Sequence, residues 1–209
     1  MNIPEATTSL RPFGLALLIT IIVFMIGAFS AAYFRPPLPT TPLEQLQRIA
    51  NDRPGWTAQA IIFPVSFLAI TAIFGSLATN LPGGWPRWLA ILATLLSGAA
   101  FLLWLAISLN RLHLGAQAAE LIANYDPNTP LPVLINFNTF WPYTFCALGS
   151  MALMGAALAL AGVLPALGWV VAGLSAAAAL FGGLVWRDWP PFMSYIILLV
   201  LAVGLMRVG

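Results

Sequence analysis

The chain has 209 residues, of which 61% are hydrophobic and only 7% are charged. Because soluble domains carry about 25% charged residues, a chain of this composition cannot face water on all sides. Its formal net charge of +2 comes from eight scattered arginines and six acids, so no nucleic-acid partner is predicted. The single cysteine, Cys146, excludes an intramolecular disulfide and a cysteine-based metal cluster.

Six apolar stretches are long enough to cross a bilayer, which takes about 20 helical residues. Every Arg, Asp and Glu and the only His lie outside them, as expected if a charge at mid-membrane costs about 2.5–3.5 kcal/mol. The stretches are 13–34, 56–79, 88–109, 140–164, 166–186 and 190–206. The first is too long for the apolar part of a signal peptide and is interpreted as a retained span. We therefore predict an all-α polytopic membrane bundle, one domain over residues 1–209, whose main partner is the lipid bilayer.

Tryptophans mark the ends of these stretches, where indole rings prefer the headgroup level. Trp104 and Trp169 lie about one turn inside and fit packing or the same aromatic belt. The belt tryptophans are Trp56, Trp85, Trp88, Trp141, Trp186 and Trp189. Small residues four apart in the fourth and fifth spans, such as Gly155 with Ala159 and Gly173 with Ala177, indicate close helix packing.

The segment after the first span carries a helix-start signal. Thr41 can cap a helix, Pro42 suits its first position, and Glu44 completes a capping box. Apolar residues then recur on one face of that helix: Leu43, Leu46 and Ile49. We predict a short interfacial helix that presents this face to lipid or to a partner. A lid on the bundle is the other interpretation, and the two are compatible.

Polar residues after the third span recur at helical spacing: Asn110, His113, Gln117, Glu120 and Asn124. The third helix is therefore predicted to extend beyond the membrane to about Asn124. We interpret this stripe as a wet or interfacial face, with Asn110, Gln117 and Glu120 as partner or lipid contacts. His113 is the one candidate for binding a cofactor.

The sequence contains few residues or motifs that would indicate a metal site or an enzyme. One His per chain cannot hold a haem by two histidines, and a zinc site needs three or four ligands. The sequence lacks H-E-x-x-H, G-x-S-x-G and Walker motifs, and its spans contain no carboxylate. No catalytic residue, no metal site and no cofactor is predicted. Pro64 inside the second span is expected to kink that helix.

Three segments near the C-terminus carry a family resemblance: 162–169 (GVLPALGW), 189–192 (WPPF) and 201–207 (LAVGLMR). They resemble small uncharacterised bacterial membrane proteins with six helices, in which such a turn joins two late spans. The turn here lacks the basic residue of that pattern. The resemblance implies a bacterial plasma membrane protein and adds nothing about mechanism.

Three functions are compatible with these observations. The first is a non-catalytic membrane subunit or scaffold that docks lipids or other membrane-protein subunits, suggested by the absence of intramembrane charge and of catalytic sets. The second is a carrier or channel for a neutral or lipidic substrate, suggested by Pro64 and by an apparent repeat of two hairpins. The third is a redox or pigment-binding subunit that uses His113.

Charge placement gives a weak orientation signal. Six spans put both termini on one side, with Arg11, Arg87 and Arg207 in short connections. The opposite side carries five arginines and five acids in longer loops: Arg35, Arg48, Arg53, Arg111 and Arg187, with Glu44, Asp52, Glu120, Asp126 and Asp188. A raw count of arginines favours this second side as cytoplasmic, but two of its arginines belong to the predicted surface helix and its end. We therefore expect both termini in the cytoplasm.

Overall fold

The structure, a computed structural model, describes residues 9–34, 37–136, 138, 140–186, 189 and 191–208. Seven α-helices make up most of these residues. Glu5, Arg35, Arg187, Asp188 and Pro190 lie outside these residues. The helices are α1 (Arg11–Ser30), α2 (Pro42–Asn51), α3 (Arg53–Asn80), α4 (Trp85–Ala123), α5 (Phe140–Leu160), α6 (Pro165–Leu180) and α7 (Pro191–Met206). The predicted all-helical architecture is confirmed.

Five of these helices are long and apolar enough to cross a membrane, namely α1, α3, α4, α5 and α6 together with the start of its wider π-helical extension, Phe181–Trp186. The chain is therefore a helical membrane protein. The sixth predicted span forms α7, which has 16 residues. At about 1.5 Å per residue it is shorter than the roughly 30 Å hydrocarbon core, so its crossing stays a prediction.

The helix of the first span ends at Ser30, earlier than the predicted residue 34. Side chains form hydrogen bonds with the backbone at this end. The Ser30 hydroxyl donates to the Gly27 carbonyl at 2.7 Å. One carboxylate oxygen of Asp52 accepts from the Ala32 N–H at 2.6 Å, and the other accepts from the Gly55 N–H at 3.2 Å. Asp52 thus caps the start of α3 while it holds the end of α1.

Six of the helices, all except α2, pack in a closed ring. Successive helices α1, α3, α4, α5, α6 and α7 contact one another, and α7 returns to contact α1. Buried aromatic side chains fill the middle of this ring, and we call them the central aromatic cluster: Phe24, Phe63, Phe67, Trp104, Tyr143 and Tyr195. The ring centroids of Phe24 on α1 and Tyr195 on α7 lie 3.5 Å apart. This stacking contact stabilises the packing of α7 against α1.

Small residues set the contact between α5 and α6, as the sequence predicts for Gly155. A Cβ added at Gly155 would lie 2.6 Å from the Gly168 carbonyl, and one added at Gly168 would lie 2.5 Å from the Gly155 carbonyl. Gly173 differs, because a Cβ there would meet nothing within 4 Å. The same spacing pattern therefore marks a packing contact within the chain in one helix and an open surface in the other.

α2 forms as predicted, capping box included. The Thr41 hydroxyl accepts from the Glu44 N–H at 3.2 Å, and the Glu44 carboxylate accepts from the Thr40 and Thr41 N–H groups. Its apolar face is covered by the same chain, because Leu46 and Ile49 are buried against Ala118 and its neighbours on α4. Neither of these two side chains is open to lipid or to a partner, which corrects their predicted role, whereas Leu43 is only half-buried.

We expect Gly155→Ala to lower the free energy of unfolding by about 1–3 kcal/mol, because the new methyl group would press on backbone atoms that cannot move aside. Gly173→Ala is the matched control and should leave stability unchanged or raise it by up to about 1 kcal/mol through helix propensity. Denaturant titration in detergent micelles measures both. Equal losses in the two variants would contradict the packing described for α5 and α6.

The capping box predicts a dependence on pH. Hydrogen bonds from Thr40 and then Thr41 lower the pKa of the Glu44 carboxyl below its ordinary 4.5. Since the pKa is lower in the folded state, the carboxylate stabilises α2 above the ordinary pKa, and this contribution is lost as the pH falls through the lowered value. The unfolding midpoint of Glu44→Gln should therefore lie below that of the wild type at pH 7 and converge with it in acid. A difference that persists at pH 3 would argue against the carboxylate as its source.

Candidate functional site

Arg111 lies on the face of α4 that points into the bundle. The buried residues of this helix repeat every three or four positions: Ala90, Ala93, Ser97, Ala100, Trp104, Ser108, Gly115 and Ala118. Arg111 fills the place between Ser108 and Gly115 in that series. Its backbone lies just beyond the predicted span, but long helical side chains lean towards the helix N-terminus. The guanidinium therefore extends back towards the membrane interior.

The Arg111 guanidinium contacts side chains of α3 and α4 in the described part of the chain. Its Nη1 donates to Gln59 Oε1 at 2.8 Å, and Gln59 is only 2% exposed. Its Cζ lies 5.6 Å from the Trp56 ring centroid, 5.9 Å from that of Phe63 and 5.5 Å from that of Trp104. Cation–π contacts at such distances contribute about 0.5–2 kcal/mol, more as water is excluded. Arginine suits this setting because a guanidinium is more weakly hydrated than an ammonium group.

Trp56 fixes the outer side of this enclosure. Its indole N–H donates to the Arg111 carbonyl at 2.7 Å, which joins the first turn of α3 to α4. The indole fits against α4 because position 115 is glycine, where a Cβ would lie 2.8 Å from Trp56 Cδ1. Trp56 is 5% exposed, so it belongs to the interior rather than to the predicted aromatic belt, unlike Trp85 at 77%.

Tyr33 covers the same end of the bundle. Its ring centroid lies 5.0 Å from that of Trp56. Burial raises the pKa of the Tyr33 hydroxyl, and the positive charge of Arg111 opposes that rise. The phenol therefore remains neutral at physiological pH and contributes an apolar ring with a polar edge.

A cavity of about 390 Å³ opens beside Arg111, between the start of α3, α4, the loop that follows α4 and the start of α5. Among the described residues, its lining is apolar except for two asparagine amides and the arginine. The lining residues are Trp56, Ile107, Asn110, Arg111, Leu114, Leu131, Pro132, Val133, Asn138 and Phe140. Asn110 shapes the loop wall, because its amide donates to the Ile135 carbonyl at 3.0 Å and accepts from the Ile135 N–H at 2.8 Å.

The predicted polar stripe on α4 does not form one site. The helix continues to Ala123, so its predicted extension is confirmed. Asn110 lines the cavity, whereas His113 and Gln117 are half-buried outside it and Glu120 is exposed. No group of three or more His, Cys, Asp or Glu side chains in the described ranges could hold a metal ion. A role for His113 as a ligand, or for Gln117 and Glu120 as contacts, stays a prediction.

Pro64 lies inside α3, which is a continuous helix from Arg53 to Asn80. Its ring is buried, so it packs within the bundle and does not line the cavity. The predicted kink stays a prediction. Trp104 is 1% exposed and packs in the central aromatic cluster, which decides between the packing and belt interpretations for that residue.

The residues around the site were not singled out as a group by the sequence, although a signal for them was present. Arg111 lies seven residues after Trp104 and four before Gly115, on one stripe of α4. Extending the apolar stripe of the third span past residue 109 would have placed Arg111 on the bundle-facing side. The partners Trp56 and Gln59 lie about one turn apart at the start of α3, which fits one helix face.

The chain gives no match when it is compared with protein-family models, with curated proteins or with solved structures. The resemblance to small bacterial six-helix membrane proteins is therefore neither supported nor contradicted by these comparisons, and it stays an expectation.

We expect Arg111→Met to lower the free energy of unfolding by about 1–3 kcal/mol, because the buried Gln59 oxygen loses its donor. Gln59→Leu should also destabilise the protein, since the guanidinium then loses this acceptor. The double variant Gln59→Leu/Arg111→Met should recover most of the loss, because replacing both partners by apolar groups leaves neither unsatisfied. Additive losses in a double-mutant cycle measured in micelles would contradict a direct Arg111–Gln59 interaction.

Proposed function

We propose that this chain is a non-catalytic membrane scaffold whose Arg111 cavity binds the headgroup of a phospholipid. The observation that carries the proposal is a single charged guanidinium in the wall of an otherwise mostly apolar cavity at the end of the bundle. Of the two kinds of partner suggested for a scaffold by the sequence, lipids or protein subunits, this proposal concerns lipids. The Arg111 site gives it a definite location, which the polar stripe and the surface helix do not.

The composition of the cavity favours an amphiphile. About 390 Å³ falls within the range of about 300–1,000 Å³ that small-molecule sites occupy. Leu114, Leu131 and Phe140 supply apolar walls, while Asn110 and Asn138 supply amide groups. A purely polar solute would leave those apolar walls wet, and a hydrocarbon would place no polar group against the guanidinium. A molecule with a polar head and an apolar tail satisfies both.

The charge of the site favours an anionic head. Among the described residues that line the cavity, Arg111 is the only charged one. A guanidinium carries five N–H donors in a planar fork that suits phosphate oxygens, so the side chain can keep its bond to Gln59 and still reach a further acceptor. The position also supports a lipid, because the cavity lies where α4 leaves the predicted span at residue 109. Phosphate headgroups lie at that level of a bilayer.

We further propose that the protein resides in a bacterial plasma membrane with both termini in the cytoplasm, together with other membrane-protein subunits. The resemblance of the C-terminal segments supports the compartment, and the short arginine-containing connections on the side of the termini support the orientation. Fusions of a cytoplasm-active and a periplasm-active reporter to the C-terminus would decide the orientation. Purification in a mild detergent as a lone monomer would count against stable partner subunits.

Phospholipid binding is testable by native mass spectrometry of the delipidated protein titrated with phosphatidylglycerol, phosphatidylcholine or inorganic phosphate. We expect phosphatidylglycerol to bind most tightly, and Gln59→Leu/Arg111→Met to weaken it at least tenfold while the fold is retained. Arg53→Met is the matched control, since Arg53 is exposed on the same side of the membrane and outside the cavity. It should bind as the wild type does.

A second variant tests the cavity without removing its charge. Val133→Trp adds a large side chain to the loop wall and should weaken lipid binding while the Arg111–Gln59 pair remains. The proposal fails if neither variant alters binding, or if Arg53→Met weakens it as much as the loss of Arg111. Binding of inorganic phosphate as tight as that of phosphatidylglycerol would assign the site to a free anion instead.

A further inference from the structure

Several buried polar atoms in the middle of the bundle have no hydrogen-bonding partner among the described residues. They are Trp104 Nε1, Ser108 Oγ, Tyr143 Oη and Tyr195 Oη. Each of these residues is 1% exposed. Buried polar side-chain atoms are satisfied in the large majority of known proteins, and each exception calls for a physical explanation.

The side chains that carry these atoms belong to one neighbourhood. The ring centroids of Trp104 and Tyr143 lie 4.5 Å apart, and Phe67 is 5.0 Å from Tyr143 and 6.0 Å from Tyr195. Ser108 lies one turn along α4 from Trp104, on the same buried stripe. The group therefore spans α4, α5 and α7 inside the central aromatic cluster.

The surroundings make unsatisfied groups especially unfavourable. Hydrocarbon cannot reach or solvate these atoms, and the neighbouring aromatic rings are poor acceptors. Several such penalties in one place would compete with the whole stability of a domain of this size. Several other serines and threonines of the bundle avoid the penalty by donating to a carbonyl one turn earlier, as Thr144 does to Phe140 at 2.9 Å.

The chemistry of the four atoms defines what could satisfy them. An indole N–H can only donate, so its partner must accept, whereas phenol and serine hydroxyls both donate and accept. The partner must be small because the surrounding rings are closely packed. It must also be uncharged, since a second charge here would cost more than it gained. Water, with two donors and two acceptors, meets all of these requirements.

We infer that the Trp104–Ser108–Tyr143–Tyr195 group is an internal binding site for water, which enters from the Arg111 cavity. The Trp104 ring lies 5.5 Å from the Arg111 Cζ, and Ser108 occupies the turn between these two residues. Ile107 and Phe140, each next to or one turn from a member of the group, line the cavity itself. The inference does not depend on lipid binding, because it concerns the interior beyond the cavity.

Replacing the two tyrosines by phenylalanine tests the inference. The thermal unfolding midpoint should fall if water binds the hydroxyls and rise if they are unsatisfied. If water binds the hydroxyls, Tyr143→Phe and Tyr195→Phe should each lower the thermal unfolding midpoint by several degrees. If the hydroxyls are unsatisfied, the same changes should raise the midpoint, because they remove a buried polar group. Ser175→Ala is the matched control, since Ser175 is buried on α6 without a described partner and outside the group. It should not lower the midpoint; a loss equal to that of Tyr143→Phe would overturn the inference.

X-ray radiolytic footprinting supplies a second readout that does not depend on stability. Radiolysis of bound water oxidises the side chains next to it. Trp104 and Tyr143 should therefore be oxidised in the folded protein at a sizeable fraction of their rate in the unfolded chain. Phe74, which is 0% exposed in the same bundle, should be strongly protected on that scale. Protection of Trp104 and Tyr143 as strong as that of Phe74 would overturn the inference, as would oxidation that disappears when lipid is removed, which would point to a lipid oxygen.

Discussion

Hydrocarbon offers no hydrogen-bonding partner, so every polar group that a chain carries into a bilayer must be satisfied by the protein or by water held inside it. Most polar side chains of this bundle do so locally. Thr20, Ser66 and Thr94 donate to carbonyls four residues earlier, at 2.8–2.9 Å. Thr71 and Ser97 share a hydrogen bond of 2.9 Å between α3 and α4. Because their hydroxyl groups are already bonded, such side chains behave almost as apolar ones. The packing of the helices then depends on the shapes of their side chains.

Arg111 cannot be satisfied by such local bonding. One amide, three aromatic rings and the approach of Trp56 to Gly115 are all arranged around it. α3 and α4 must therefore keep a fixed register, because Trp56 donates to the Arg111 backbone while Gln59 accepts from its side chain. Charge, ring contacts and helix register are coupled at this end of the molecule, which is also where the cavity lies.

The helices themselves were predictable from sequence because length and apolarity alone determine them. The capping box at Thr41 and Glu44 and the long third helix were equally accessible, since both depend on local spacing. What a helix face contacts was not accessible in the same way. An apolar stripe looks the same whether lipid or another helix covers it, which is why Leu46 and Ile49 seemed to face outward and are buried.

Arg111 shows the same limit in reverse. The sequence prediction assigns each charged residue to a span or a loop by the position of its backbone. The guanidinium of an arginine, however, lies several ångströms from that backbone. The backbone of Arg111 lies two residues past the predicted end of the third span, but its guanidinium lies between Phe63 and Trp104 within the bundle. The glycines behave similarly, because Gly155 and Gly173 have the same sequence context of small residues and only the fold distinguishes them.

The stack of Phe24 on Tyr195 has a consequence for biosynthesis. Contacts from α1 through α6 join helices close in the chain, so they can form as each hairpin leaves the ribosome. The groove on α1 that receives α7, where Gly14 allows close approach to Ala202, must wait until the last helix is made. Until then one side of the nascent bundle is open to whatever shares the translocation site, and insertion of α7 is the event that closes it.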